Sequence, residues 1–450
     1  MTNSQSITDL IDQTPFVDTH EHLFEESKRL QALEQSDVEG IPVAAPDFGL
    51  LFSHYSHSDL ESAGMPQEDV QKLFRYDLEP EDKWRLVEPF YQKTYHTGYV
   101  QSIRESVRLL YEEEDLRSDN IARISDRIRA DVQPGYYHRI LSDVARIEHT
   151  QVNNLDTPVF METEYPDLLC QDLNFKVLSS DLDLDAITEV SGREVGDLDD
   201  LHNVIDWCFA TYGPRAIAAK NPSAYRRRLD YAQVQAQEAA PLLDRYLKNQ
   251  EMVTQGEIKA LKDHLFHYCV ERATEYGLPV KLHTGYYART GEMPLHRVRK
   301  NASDLCDLFM AHPKARFVVM HIIYPYQDEA IALAKQYPNA FIDLCWAWII
   351  NPAASVRFVK EFLMAAPANK LFTFGGDYLP VELVPGHAQI ARRGLAQAIS
   401  ELVDEGWIRS NSVDDLVERL MRGNAHELFD YSGTLAQWEK DPELQTGLVS

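Results

Sequence analysis

Two histidines separated by one residue are the first feature of this chain that could carry chemistry. The short apolar segment Pro15-Phe-Val-Asp18 is typical of a buried strand, and it leads directly into His20 and His22. Because side chains alternate across a strand, both imidazoles project to the same side and can reach one metal ion. With 16 histidines in 450 residues, about 0.6 such pairs arise by chance, so two surface histidines are the alternative.

Other side chains that can bind a metal follow strand-like segments farther along the chain. Each of four apolar runs ends in such a residue, and the four residues are Lys220, His283, His321 and Asp377. If the strands are parallel and form a barrel, their carboxyl ends lie on one face and these side chains converge there. This recurrence predicts a metal centre more strongly than the two histidines alone.

The elements that must position these residues are short strands separated by longer amphipathic stretches. This alternation predicts a parallel α/β fold, and eight strands is the number that closes a (β/α)8, or TIM, barrel. The predicted strands are Pro15–Asp18, Arg146–His149, Lys176–Leu178, Ala216–Ala219, Pro279–Leu282, Phe317–Met320, Ala340–Asp343 and Lys370–Phe374.

Residues 24–148, directly after the first predicted strand, are charged and have helical periodicity, with Ile103 and Val107 on one helix face. Loops that follow barrel strands emerge at the active-site face, so we expect this insertion to cap the site and exclude water. A separate helical subdomain or an oligomer interface is the alternative. We predict one barrel domain over residues 1–430, including the insertion, and a C-terminal tail over 431–450.

Composition limits the partners of the chain. A formal net charge of −27 argues against nucleic acid and anionic membrane surfaces, because both are bound by basic faces. No apolar run approaches the roughly 18 to 20 residues that a membrane span needs. Hydrophobic residues at 44% are ordinary for a globular protein and argue against disorder and a fibrous fold. We expect a small molecule as the substrate, and a homo-oligomer is possible.

Cysteine usage and the N-terminus predict a cytoplasmic location. The segment Met1–Ser6 is polar and lacks the basic and then apolar layout of a signal peptide. The cysteines form no close pair, which favours reduced thiols over a disulfide framework. These cysteines are Cys170, Cys208, Cys269, Cys306 and Cys345.

The strand-end residues, in this order, resemble the amidohydrolase superfamily of metal-dependent (β/α)8 barrels. More closely, the chain resembles the branch that contains uronate isomerase, several decarboxylases and hydrolase-like halves fused to glutamine-synthetase-like domains. The resemblance covers residues 15–430. Besides the residues already named, it rests on Lys220-Asn-Pro-Ser-Ala-Tyr225-Arg226, His321-Ile-Ile-Tyr324-Pro325-Tyr326, Gly375-Gly376-Asp377 and Gly423-Asn424-Ala425.

The resemblance implies a divalent metal held by His20, His22 and Asp377, and zinc best suits this nitrogen-rich set. Such an ion lowers the pKa of a bound water to about 7 and makes a hydroxide nucleophile. His283 is implied as a further ligand. His321 is implied as a ligand of a second ion or as a residue that orients the substrate. Asp377 is implied as the proton shuttle between the attacking water and the leaving group.

Lys220 decides between one ion and two. In binuclear members of the superfamily a lysine at the matching place is carboxylated and bridges two metals. Alternatively, Lys220 stays an ammonium and binds a substrate carboxylate. Resemblance to the branch named above favours a single metal.

Residues in the loops after the strands indicate an acidic substrate. Tyr225 and Arg226 follow Lys220, and Tyr286 and Arg289 follow His283, while Trp346 follows the seventh predicted strand. Arginine is suited to bidentate recognition of a carboxylate, although both arginines could equally be solvated. The tryptophan is expected to wall the pocket or to pack at the barrel rim.

The sequence therefore predicts a metal-dependent hydrolase that acts on a C–N, amide-like bond of a small, carboxylate-bearing molecule. A decarboxylase and a uronate-isomerase-like enzyme are alternatives that use the same site. A barrel retained only for binding is disfavoured, since convergent histidines and carboxylates are costly to hold together without a ligand.

Overall fold

The computed structural model describes residues 3–33 and 45–440. Eight parallel strands follow one another in a single sheet in the order β1 to β8, which is the predicted (β/α)8 barrel fold. Every strand is largely buried. The strands are β1 Phe16–Glu21, β2 Ile147–Val152, β3 Leu169–Asn174, β4 Ala218–Asn221, β5 Val280–Leu282, β6 Phe317–Val319, β7 Ala340–Asp343 and β8 Leu371–Phe372.

Helices occupy most of the chain between the strands. In chain order they are α1 Asn3–Gln13, α2 Glu26–Gln31, α3 Ser56–Ser62, α4 Gln67–Lys72, α5 Pro80–Thr94, α6 Gly98–Tyr111, α7 Ile121–Asp131, α8 Tyr136–His138, α9 Leu184–Ser191, α10 Leu198–Tyr212, α11 Ala236–Lys248, α12 Gln255–Glu275, α13 Leu295–Val298, α14 Asn301–Ala311, α15 Gln327–Gln336, α16 Ala347–Ile350, α17 Pro352–Ala365, α18 Val384–Asp404, α19 Val413–Glu418, α20 Asn424–Leu428 and α21 Tyr431–Trp438. None of these helices is long and apolar enough to span a bilayer.

The described residues divide into two compact units. The first consists of those within Met1–Val152, Tyr287–Met293 and Leu344–Ala425, and it holds β1, β2 and β8. In this unit α18 packs against α1, α6 and α17. The second consists of those within Asn153–Tyr286, Pro294–Asp343 and His426–Ser450, and it holds β3 to β7. In this unit α10, α11 and α12 pack against one another.

Seven of the eight predicted strands overlap observed ones, and the third prediction is wrong. Lys176–Leu178 lies in a turn, whereas β3 is formed by residues 169–174, which include Gln171 and Asp172. Because these residues are polar, a search for apolar runs does not detect this strand. Asp172 is tolerated because its two carboxylate oxygens lie 2.8 and 2.9 Å from Nζ of Lys281 on β5, and both side chains are fully buried.

The segment 24–148 is helical over α2 to α8 in its described part. Inside it, Nζ of Lys83 donates to the Asp47 carboxylate at 2.6 Å in a buried ion pair. At its start, Arg29 on α2 donates to the Glu382 carboxylate at 2.6 Å, and both side chains are again buried. Glu382 lies between β8 and α18, so this ion pair connects the first turn of the insertion to the chain that follows β8.

Helix α12 carries two histidines, and each is hydrogen-bonded to a histidine from another segment. Nε2 of His264 lies 2.9 Å from Nε2 of His202, and Nδ1 of His267 lies 2.7 Å from Nε2 of His312. Nδ1 of His264 donates to the Val234 carbonyl, so its Nε2 must accept the proton of His202. Burial, together with repulsion from the partner imidazole, lowers the pKa of His202 and of His312 to about 4.

The free energy of unfolding is expected to fall as the pH drops from 6.5 towards about 4. In the unfolded chain His202 and His312 have the ordinary pKa of 6.5 and take up a proton over this range. In the folded protein both stay neutral until the pH approaches about 4, so protonation favours the unfolded chain. Urea denaturation at several pH values measures the decline. His202→Phe keeps a ring against Tyr268 and cannot titrate, so its stability should decline less steeply. A decline as steep as that of the unchanged protein would contradict this explanation.

The C-terminal residues form one further helix, and the cysteines are not joined in disulfides. The predicted tail 431–450 is described only to residue 440, and this part contains α21. Trp438 on α21 is buried, and its Nε1 donates to the Arg215 carbonyl at 2.9 Å. All five cysteines are free thiols.

Candidate metal centre

The first unit brings three predicted metal ligands together through backbone pairing between β1 and the chain after β8. His20 lies in β1, His22 follows the strand, and Asp377 lies five residues beyond β8. The amide of Asp377 donates to the His20 carbonyl at 2.9 Å, and the amide of His22 donates to the Tyr378 carbonyl at 3.0 Å. The carboxylate is thereby held beside both imidazoles.

The separations of the ligand atoms fit a metal ion. Oδ1 of Asp377 lies 3.1 Å from Nε2 of His20 and 3.2 Å from Nε2 of His22. Two ligands of a tetrahedral zinc ion, each at its usual bond length, stand roughly 3.3 Å apart. His20 and Asp377 are buried, and His22 is half-buried, so one side of the cluster retains access to solvent. This donor set can hold one divalent ion and leave positions open for water or substrate.

Glycines allow the tight turn that presents Asp377. A side chain on Gly376 would collide with the Glu21 carboxylate, and one on Gly375 would lie 2.8 Å from Cβ of Cys345. Asp377 itself has a left-handed backbone with φ of 61°, which costs energy for a residue with a side chain. The Gly-Gly-Asp sequence is therefore a steric requirement of the position that the carboxylate occupies.

Two buried carboxyl groups lie next to the ligand set. Burial raises the pKa of Glu21 well above its ordinary value, and the neighbouring Asp18 carboxylate raises it further. Burial also raises the pKa of Asp18, to about 6, although Oδ1 of Asp18 accepts hydrogen bonds from the amides of His20 and Gly376. Burial thus disfavours the charged form of both groups, which lie beside the ligand set.

The helical insertion contacts the same cluster within the first unit. The Tyr55 hydroxyl donates to the Asp377 carbonyl at 2.6 Å, and its ring stacks on Trp346 with centroids 4.4 Å apart. Nδ1 of His54 accepts from the amide of Leu379, and the His54 ring lies 5.9 Å from that of His22. Because a backbone amide can only donate, neutral His54 carries its proton on Nε2. Burial lowers the pKa of His54 to about 3, so it stays neutral.

The second unit brings His283 and His321 together at the ends of β5 and β6. Nδ1 of His283 lies 3.0 Å from Nε2 of His321, and Nε2 of His283 lies 2.9 Å from the Tyr286 carbonyl. A carbonyl can only accept, so Nε2 of His283 carries the proton, and the lone pair of Nδ1 faces Nε2 of His321. This is the arrangement of a metal-binding histidine oriented by a backbone carbonyl. The separation of the two nitrogens again fits two ligands of one ion.

Lys220 lies in β4 of the second unit, and the predicted substrate residues Tyr225 and Arg226 lie in the loop that follows this strand. Lys220 is buried within β4, its Nζ is 2.7 Å from Sδ of Met320, and its register partner on β5 is Lys281. The Tyr225 ring packs against His283 with centroids 4.3 Å apart and the ring planes tilted by 40°, while Arg226 is exposed to solvent.

The remaining predicted substrate residues differ in exposure. Tyr286 is half-buried, and Arg289, which belongs to the first unit, is exposed. Trp346 is fully buried against Tyr55. Contact of these three residues with substrate stays a prediction. His54 and Tyr55 lay outside the predicted site, because no spacing in the sequence links them to the ligands.

Comparison with known proteins agrees with this geometry. Residues 203–431, just over half of the chain, match the family model described as Amidohydrolase, and the chain belongs to this family. It is also 25% identical over 240 residues to Protein fluG of Emericella nidulans. That match covers 51% of this chain and 26% of the fungal protein, so the chain spans about a quarter of that relative's length.

Two solved structures have the same fold over nearly the whole chain. The uronate isomerase of Thermotoga maritima superposes with a TM-score of 0.75 at 14% identity, covering 95% of this chain and 97% of the isomerase. The glucuronate isomerase of Caulobacter crescentus gives 0.74 at 16% identity, with 98% and 95% covered. The family match over residues 203–431 makes the chain a member of the amidohydrolase superfamily, and the donor set described above suits a divalent metal.

Proposed function

We propose that this enzyme is a hydrolase that cleaves a C–N, amide-like bond of a small, carboxylate-bearing molecule with a metal-activated water. The convergence of His20, His22 and Asp377 on one point carries the proposal, because it combines an ion-binding set with a carboxylate that can accept a proton. Zinc is the proposed ion, since two imidazoles and one carboxylate are typical of catalytic zinc. Such an ion supplies Lewis acidity and lowers the pKa of water to about 7.

The residues of the chain supply the remaining chemistry. The Asp377 carboxylate accepts the proton of the attacking water and delivers it to the leaving amine. Tyr55 and the turn around Gly376 hold that carboxylate in position. We also propose that His283 and His321 belong to the active site, as further ligands or as residues that orient the substrate. This step rests on the rule that the carboxyl ends of barrel strands form one functional face.

Solvent oxygen tests the proposed reaction. N-acyl amino acids and lactam carboxylates are incubated with zinc-loaded enzyme in water enriched in oxygen-18. Hydrolysis should place the label in the carboxylate product, because the attacking oxygen comes from solvent. The matched control is the same incubation without enzyme. Conversion of these compounds without incorporation of the label would refute hydrolysis.

Uronate isomerisation is the second candidate, supported by the likeness in fold to two uronate isomerases over at least 95% of this chain. The candidate predicts conversion of D-glucuronate into its keto isomer, which proton NMR follows directly. Turnover of D-glucuronate together with inertness towards every amide would replace the hydrolase proposal with this one.

We expect one tightly held ion per chain, independent of bicarbonate. His20, His22 and Asp377 form a complete set for one ion, whereas a second ion would need Lys220 to be carboxylated. Removal of the ion with a chelator should abolish activity, and zinc should restore it. Metal analysis of protein prepared with and without bicarbonate, beside Lys220→Met as control, measures the stoichiometry. Two ions that depend on bicarbonate in the unchanged protein alone would contradict this prediction.

A further inference from the structure

Exposed positive charges lie in the loops that follow β4 and β5, in the second unit. We call Arg226, Arg299 and Lys300 the basic lip. All three are exposed, and the side chain of Arg226 is 73% exposed. Tyr225 and Arg226 follow β4, and α13 with Arg299 follows β5. Segments in these positions belong to the active-site face of a (β/α)8 barrel.

Arg297 on α13 connects the two loops. Its guanidinium donates to the Tyr225 carbonyl at 2.7 Å and to the Arg226 carbonyl at 3.3 Å. Because both acceptors are backbone atoms, the side chain of Arg226 is not consumed by this contact. Arg297 therefore fixes the backbone of Arg226 close to α13. Arg299 follows directly after the last residue of this helix.

The same loop reaches the candidate metal ligand of the second unit. Tyr225 packs against His283, and the tyrosine remains 37% exposed although His283 is only 5% exposed. Leu295 at the start of α13 is 49% exposed. The loops beside His283 thus carry an exposed aromatic and an exposed apolar side chain as well as the basic lip.

The charges of the basic lip are only weakly compensated by acidic side chains of the described residues. Arg226 has one long ion pair, in which its Nε lies 3.7 Å from Oδ1 of Asp181. Among the described residues Arg299 and Lys300 form no ion pair, although the Arg299 guanidinium lies 5.9 Å from the centre of the Tyr326 ring. The adjacent Arg227 and Arg228, in contrast, form ion pairs at 2.5 Å, with Asp263 and Asp304. In a chain of net charge −27, the exposed and weakly paired cations of the basic lip are available to an anion.

We propose that the basic lip binds a second carboxylate of the substrate, at the end remote from the reacting bond, so that the substrates are elongated dicarboxylates. The carbons between the two ends would lie along Tyr225 and Leu295. Paired arginines suit the planar, bidentate geometry of a carboxylate. This inference rests on the proposed function for its reacting end, but it concerns binding and not the bond that is cleaved.

Equilibrium binding tests the proposal without requiring turnover. Glutarate, adipate and pimelate are titrated into zinc-loaded protein by calorimetry, beside the monocarboxylates of equal length. At least one diacid should bind about tenfold more tightly than its monoacid, and the preference should shrink at high salt because the lip is exposed. Equal affinities for diacids and monoacids would overturn the proposal.

A pair of double variants assigns the preference to these residues. Arg226→Gln with Arg299→Gln should bind diacids and monoacids alike. Arg193→Gln with Lys314→Gln removes the same charge from exposed positions outside these loops and should keep the preference. Circular dichroism confirms that both variants fold. A preference that survives in the first variant would overturn the proposal, whereas diacid selectivity without any hydrolysis would overturn only the proposed reaction.

Discussion

Asp377→Asn is expected to lower turnover by about 10²–10⁴-fold, the usual contribution of a general base or acid. Asparagine keeps the shape of the side chain and can adopt the left-handed backbone of this position, but it cannot accept a proton from water. The rate constant kcat is measured at saturating zinc, and metal content is measured on the same samples. Saturating zinc separates the loss of the proton shuttle from weaker binding of the ion.

The matched control for this variant is Asp404→Asn, an exposed carboxylate at the end of α18. It should leave kcat and metal content unchanged. If Asp377→Asn holds its ion and retains a rate near that of the unchanged enzyme, Asp377 is not the proton shuttle.

Asp172→Asn is expected to lower the free energy of unfolding by about 3–5 kcal/mol, because it leaves the buried ammonium of Lys281 without a counter-charge. Both side chains are fully buried, and Lys281 donates to both oxygens of Asp172. Lys281 lies in β5, two residues before the candidate ligand His283. Urea denaturation near neutral pH measures the loss.

The double variant Asp172→Leu with Lys281→Met distinguishes the destabilisation caused by a buried charge without a partner from the destabilisation caused by altered packing. This double variant removes both charges and should recover most of the stability, as happens when a buried pair is replaced by apolar residues. A loss below 1 kcal/mol in Asp172→Asn, on the order of an exposed ion pair, would contradict the expectation.

Residues at strand ends could be predicted from sequence because their neighbours identify them. An apolar run that ends in His283 or His321 combines a structural and a chemical signal within five residues. The same reasoning failed at β3, where the partner that makes Asp172 tolerable is Lys281, 109 residues away. It also could not link Tyr55 to Asp377, 322 residues apart, because a hydroxyl-to-carbonyl hydrogen bond leaves no pattern in composition or spacing.

The contacts of Tyr55 and Arg29 have a consequence for how this protein can be altered. The hydroxyl of Tyr55 supports the backbone of Asp377, and Arg29 neutralises the buried carboxylate of Glu382. The insertion is thus part of the scaffold of the metal-binding turn and not an interchangeable accessory. Transplanting it between relatives to change specificity would succeed only if both contacts moved with it, and deleting it would damage the ligand set before it altered substrate choice.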